Sequence, residues 1–252
     1  MLLAAHQPVY LPWLGLFHKI AVADLFIVYD DVPYSRFGFY NRNTILGPNG
    51  PLQMSVPVVR IKTTGINHCD VAIDNTVNWR KKHWRSIQQA YRKAPFYGGF
   101  APALADLYES EWHQLIDLNI ETLKLLLGFL KIDTPIEQAS THEFAGAKSD
   151  RALDMCVKLD AEALLFGSLG RQYAHIEDFE RAGIVPLFQD YVHPVYGPPK
   201  RHFRPNMSVI DLLFFHGPES RDILLAGNPT RAEYLAQAAE IKRTWELVAN
   251  GH

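Results

Sequence analysis

The sequence predicts an α/β chain with a Rossmann-like βαβ opening, a mostly parallel sheet, a helical insertion in the middle and a helical C-terminus. Three observations carry this expectation. Short uncharged apolar runs of strand length, at 2–5, 25–29, 163–166 and 184–188, alternate with segments of helical period. Each run is stopped by residues that punctuate structure, such as Pro8, the Asp30-Asp31 pair and Gly167. The length, 252 residues, suits one large domain. No repeat, low-complexity tract or linker divides it, so residues 1–252 read as a single α/β domain. Its helical insertion spans about 79–131 and a second α/β portion about 132–217.

In chain order, the first strand stops at His6-Gln7-Pro8 because Pro8 has no N–H to donate and restricts Gln7. After Pro12, the residues Trp13, Leu14, Phe17, Ile20 and Ala21 recur at helical spacing, and Asp24 ends that pattern before the second strand. Such a βαβ unit makes parallel strands, which sets His6, Gln7, Asp30 and Asp31 on one rim. Residues 34–51 read as a loop with the Asn49-Gly50 turn pair, and 53–59 as a strand. Trp79, His83, Ile87, Ala90 and Tyr91 mark one side of a helix, with Lys81, Lys82, Arg85, Arg92 and Lys93 on the other. A buried helix is expected over 111–129. Helices near 148–159 and 174–182 flank the third strand, and Ser208 is placed to cap a helix through Phe215.

Lys and Arg total 25 against 27 Asp and Glu, so bulk positive charge for holding nucleic acid is excluded, though a local basic patch is not. No apolar run reaches the length of about eighteen residues that a bilayer crossing needs, and the start lacks a basic signal-peptide region. Two cysteines, Cys69 and Cys156, make no disulfide framework, which fits a cytoplasmic protein.

Two proline-aromatic-histidine stretches stand out, at 6–13 and 191–205. At a strand end His6 is suited to general acid-base work, since an unperturbed imidazole titrates near neutrality. Gln7 can fix a polar group, and Tyr10 or Trp13 can stack on a ring. Adjacent strand residues point to opposite faces, so only one of Asp30 and Asp31 is expected to serve a site with His6; Asp31 is the choice. Asn41 and Arg42, with Arg36 and Asn43, offer grips for a phosphate or carboxylate. The turn Gly167-Ser168-Leu169-Gly170-Arg171-Gln172-Tyr173 leads from strand to helix, where backbone N–H groups favour anions. Tyr191, His193, Pro194, Tyr196, Arg201, His202 and Arg204 make the second stretch, with His193 expected on the rim of His6. No ligand pair has metal-site spacing, and neither a P-loop, a dinucleotide fingerprint nor a nucleophile elbow is present, so no metal or cofactor is expected.

These motifs, taken in order, resemble the WbqC-like protein family over roughly residues 3–217: HQPVYLPWLG with Lys19 and Asp24 behind it, DDVPY, NRN at 41–43, YRKAPFY, GSLGRQY, YVHPVY and FRPNMSVIDLLFFHG. The resemblance covers His6, Gln7, Tyr10, Trp13, Lys19, Asp31, Asn41, Arg42, Gly167, Tyr173, His193, Tyr196, Ser208 and Asp211. It implies aminoacyl or acyl transfer, for example of glycine, to an amino sugar in surface-polysaccharide or secondary-metabolite biosynthesis. In that case His6 or His193 takes the proton of the attacking amine and Asp31 orients the imidazole. Gln7, Tyr10, Trp13, Lys19, Asn41, Arg42, Gly167, Ser168, Tyr173 and Tyr196 hold the substrates. The partner is then a small amino sugar, nucleotide-linked or free, and an aminoacyl-tRNA donor would dock on Lys81, Arg85 and Arg92. The opening also resembles that of nucleotidylyltransferases, pantothenate synthetases and class I tRNA synthetases, but has no second histidine of a His-x-Gly-His signature. ATP-dependent adenylylation and a non-catalytic module that binds a sugar nucleotide or aminoacylated RNA are therefore the alternatives.

Overall fold

A computed structural model describes residues 1–59, 65–197 and 203–249. Its frame is a five-stranded, all-parallel sheet. Strand β1 (Leu2–His6) lies at the centre. Helix α1 (Leu14–Val22) leads to β2 (Leu25–Val28) on one side of β1, and the chain later adds β5 (Ile136–Gln138) outside β2. Helix α5 (Ser149–Lys158) then carries the chain back across to β6 (Ala163–Gly167), on the other side of β1. Helix α6 (Ile176–Arg181) delivers β7 (Val185–Gln189) beyond that. The direction of winding thus reverses between β1 and β6, and their carboxyl ends flank the crevice where ligands of doubly wound sheets sit.

The apolar strands are buried because both sheet faces are covered. Leu2 and Ala4 face a core shared with α1 and the inserted helices, while Leu3 and Ala5 face Met155 and Cys156 of α5 and Phe179 of α6. Between β2 and β5 lie a hairpin, β3 (Arg42–Gly47) with β4 (Gly50–Ser55), and three helices, α2 (Trp79–Tyr91), α3 (Tyr97–Glu109) and α4 (Leu115–Leu130). After β7, α7 (Val209–His216), α8 (Ser220–Leu225) and α9 (Arg231–Ala249) complete the chain. No helix among the described residues is long and apolar enough to cross a membrane.

Several boundaries differ from expectation. Residues 42–47, read as loop, form β3, because the Asn49-Gly50 turn pair closes a hairpin and supplies a partner strand that periodicity alone does not reveal. The short edge strand β5 has no sequence signature and exists through its pairing with β2. Helix α4 begins at Leu115, not near Glu111, after the Leu115 amide bonds the Val71 carbonyl, and it ends where Lys131 takes a left-handed conformation (φ 52°). Ser208 stands at the N-terminus of α7 but its hydroxyl makes no capping bond; its backbone amide instead donates to the Thr44 carbonyl at 2.8 Å.

Two glycines of the GSLG turn are unequal. A Cβ on Gly170 would lie 2.5 Å from Cβ of Phe166, which the strand holds fixed, whereas nothing lies within 4 Å of one on Gly167. We expect Gly170→Ala to cost about 1–3 kcal/mol through displaced backbone and Gly167→Ala to be close to neutral; denaturant unfolding of the two variants measures the difference.

Candidate active site at the carboxyl end of the sheet

The site is built on the exit of β1. Its last strand residue, His6, points to the α1 face and is half-buried, and its Nδ1–H donates to the carbonyl of Gln7 at 2.8 Å. A carbonyl can only accept, so this bond fixes the tautomer and leaves Nε2 as a bare acceptor. Lys19, on the buried side of α1, extends its ammonium to the Ala5 carbonyl at 2.9 Å. Burial lowers the Lys19 pKa to about 7. Burial first, and then the Lys19 charge, lower that of His6 to about 4. His6 is therefore neutral in the folded protein.

The exit of β2 supplies a carboxylate. Asp30 is wholly buried and accepts hydrogen bonds from Gln138 Nε2 (2.8 Å) and from the amide and hydroxyl of Ser140 (2.9 and 2.6 Å). Next to it runs the turn that carries His68, tied by the Cys69 amide to the Asp30 carbonyl and by the His68 amide to the Val32 carbonyl. The His68 ring is 1% exposed, sits edge-on to Tyr40 and Tyr34 at centroid distances of 4.4 and 5.4 Å, and has no hydrogen-bond partner on either nitrogen among the described residues. Burial lowers its pKa to about 4; Asp30 works against that shift and His6 adds to it, so the three groups share one electrostatic environment. From α4, Asn119 donates to the Tyr40 carbonyl at 2.9 Å and leaves its buried Oδ1 without a partner. A narrow cleft lined by Gln7, Pro8, Phe26, Val28 and Asn119 lies beside the β1 exit.

The second suspect stretch meets the first through Tyr191, whose ring packs against Trp13 (5.6 Å) and His18 (5.4 Å). His193 repeats the arrangement of His6. Its Nδ1–H donates to the next residue's carbonyl, Pro194, at 2.9 Å, burial lowers its pKa, and its buried Nε2 has no partner among the described residues. Tyr191, Tyr196 and Phe203 surround it, Tyr196 being itself buried. No ring contact or hydrogen bond joins His6 to His193 among the described residues. Arg201 and His202 lie outside those residues.

Other sequence choices are corrected. Tyr10 is a core residue. Its hydroxyl bonds His83 Nδ1 (2.9 Å) and the Tyr108 hydroxyl (2.6 Å), beneath α2 and α3, where no ligand ring can stack on it. Asp31 does not orient His6: it pairs with Arg151 of α5, and the Gln7 carbonyl sets the imidazole instead. Gly167 and Ser168 open a single 3-10 turn (Ser168–Gln172), not an α-helix, so no helix dipole gathers an anion there. Arg171 is engaged by both carboxylate oxygens of Asp190 (2.7 and 2.6 Å). Tyr173 is exposed beside Phe166, near Tyr29 on the α5 face. Arg42 donates to the Gly38 carbonyl, whereas Asn41, whose amide donates to the Val56 carbonyl, keeps a buried Oδ1 without a partner among the described residues. Trp13 is half-buried. At the surface, Asp150, His175 and Asp178 bring ligand-type atoms within 4.8 Å of one another, with Asp178 already paired to Arg181.

A family model described as the WbqC-like protein family matches residues 7–223, beginning just after His6 and including the His68 turn and the second histidine stretch. The chain belongs to the WbqC-like family. An uncharacterised protein of Mycobacterium tuberculosis (strain ATCC 25618 / H37Rv), Rv1507c, is 32% identical over 223 residues, covering 86% of this chain and 95% of the relative. No solved structure matches. To the residues singled out in the sequence the tertiary structure adds Asp30, His68 and Asn119. The only sequence signal for His68 was a histidine in the otherwise plain INHCD segment.

The depressed histidines make the fold acid-sensitive. Between pH 6.5 and about 4 the unfolded chain binds protons that folded His6 and His68 refuse, so stability rises with pH through that window and is lost as pH falls through it. Buried His83 acts in the same direction. Each histidine steepens the dependence by up to about 1.4 kcal/mol per pH unit. In urea titrations from pH 7 to pH 4, His68→Gln should give a shallower decline than the wild type.

Proposed function

We propose that this WbqC-like protein is a transferase that forms an amide or ester bond, moving an aminoacyl group such as glycyl, or another acyl group, to a small amino sugar or amine. The setting is bacterial polysaccharide or secondary-metabolite biosynthesis. The observation that carries the reading is the bare Nε2 of His6, held at the exit of the central strand by the Gln7 carbonyl. The nearby Lys19 charge helps keep it unprotonated. A neutral imidazole in that state accepts the proton an amine loses when it attacks a carbonyl. In the proposed step the amine nitrogen bonds the acyl carbon and the acyl–donor bond breaks. The amine proton passes to His6 Nε2 and then to the departing oxygen of the donor. Gln7 and Trp13 line the approach, and His193 is the alternative base on the second loop.

An aminoacyl-tRNA donor would meet the exposed side of α2, where Lys81, Arg85 and Arg92 project. Its binding would then weaken steeply with salt, because phosphate contacts release counterions; a flat salt response removes this donor. Adenylylation is the second reading, favoured by the doubly wound sheet with a histidine at the end of its first strand.

Thermal unfolding with one ligand at a time separates these. Under the transfer reading, dTDP- or UDP-linked amino sugars raise the midpoint and Mg-ATP does not; a response to Mg-ATP alone puts adenylylation first. With a substrate in hand, His6→Ala should lower turnover by about 10²–10⁴-fold with little loss of stability. Wild-type turnover in both His6→Ala and His193→Ala would overturn the mechanism, and tight binding with no turnover would make the protein a binding module.

A further inference from the structure

We propose that the pocket between His68, Asp30 and Asn119 binds the acceptor as a primary ammonium ion. This rests on the transfer reading for the identity of the acceptor, and on the geometry alone for its charge. Asp30 is a wholly buried carboxylate, and no cationic side chain among the described residues pairs with it. A buried charge without a counter-charge is costly, and a cationic ligand relieves that cost.

Two of the unsatisfied atoms around it can only accept. The Oδ1 atoms of Asn119 and Asn41 are buried and unpartnered, and their orientations are fixed because each side chain spends an amide N–H on a backbone carbonyl. One turn beyond Asn119 on α4, the buried Thr122 hydroxyl is also unpartnered. His68, neutral, adds a ring lone pair. Buried polar atoms without partners are rare, and several in one neighbourhood need a common explanation.

An amino sugar provides one: its ammonium has only donors, three of them, for the acceptor atoms, and its oxygens can take the His68 N–H. The rings of Tyr34 and Tyr40 beside His68 suit a cation as well. Both tyrosines are half-buried. The titratable groups facing the pocket are Asp30, His6 and His68, with Lys19 beyond His6, bound to the Ala5 carbonyl. A neutral His68 is then the group to receive the proton that turns the bound ammonium into the nucleophilic amine, and His6 Nε2 stays free for the proton lost in the attack.

The test is calorimetric titration with methylammonium chloride, glucosamine and N-acetylglucosamine. The two amines should bind and the N-acetyl sugar, which has no ammonium, should not. Asn119→Asp, which adds a second carboxylate, should tighten methylammonium about ten-fold, and Asp30→Asn should weaken it by a similar factor. Should Asp30→Asn fail to fold, the gain in Asn119→Asp decides alone. Equal response to the N-acetyl sugar, no response to either amine, or unchanged affinity in Asn119→Asp overturns the pocket. Amine binding with no transfer to any acyl donor overturns the transfer reading and leaves the pocket standing. Transfer whose amine KM ignores Asn119→Asp does the reverse.

Discussion

The hydrogen bond from Lys19 to the Ala5 carbonyl is the constraint on which the functional end of this molecule depends. It fastens α1 to the exit of the central strand, and it does so with an ammonium group buried among apolar side chains. Such burial is unfavourable for the charged form, which is why Lys19 titrates near 7. The same charge, together with burial, keeps His6 neutral. One interaction therefore positions the first helix and helps decide the protonation state of the histidine beside it.

Residues of the sequence motifs fall into two physical kinds once their partners are known. Some spend their polar groups on neighbours across the fold and hold the frame. Tyr10 joins His83 and Tyr108, Asn43 binds the Leu11 carbonyl, and Gln189 bridges the Gly15 carbonyl and His18. Asp211 accepts from the Tyr91 hydroxyl, tying α7 to α2. Others are fixed through one atom and leave another unpartnered: His193 through Nδ1, Asn41 and Asn119 through Nδ2. A side chain held rigidly by one atom with its second atom free is preorganised for a ligand. This distinction separates scaffold from site where residue type does not, since Asn43 and Asn41 are neighbours with different fates.

The two faces of the sheet also divide the acids. Asp30 and Asp31 are adjacent, and the turn after β2 sends one carboxylate to Gln138 and Ser140 and the other to Arg151 on α5. His68 and Asn119, far apart in the chain, come to the Asp30 side because the 66–69 turn runs alongside residues 30–34 and α4 packs on that turn. The hydrophobic insertion thus completes the polar site, though its own sequence reads as helical packing.

Strand and helix placement was legible in the sequence because apolar period and punctuation are local. Leu2–His6, Leu14–Val22, Ala163–Gly167 and Val185–Gln189 each follow from their own residues. The rim position of His6 followed equally, since parallel strands must end on one side. Strand β5 and hairpin strand β3 were not legible, because each exists by pairing with a partner the local pattern does not name. Nor could the sequence choose Asp30 over Asp31, send Tyr10 to the core, or find His68, for these depend on which group lies across the fold. By itself the chain determined a mostly parallel α/β sheet with a βαβ opening and a histidine at the end of its first strand. Tertiary packing alone decided which polar atoms are satisfied, because burial and partners are properties of the assembled neighbours.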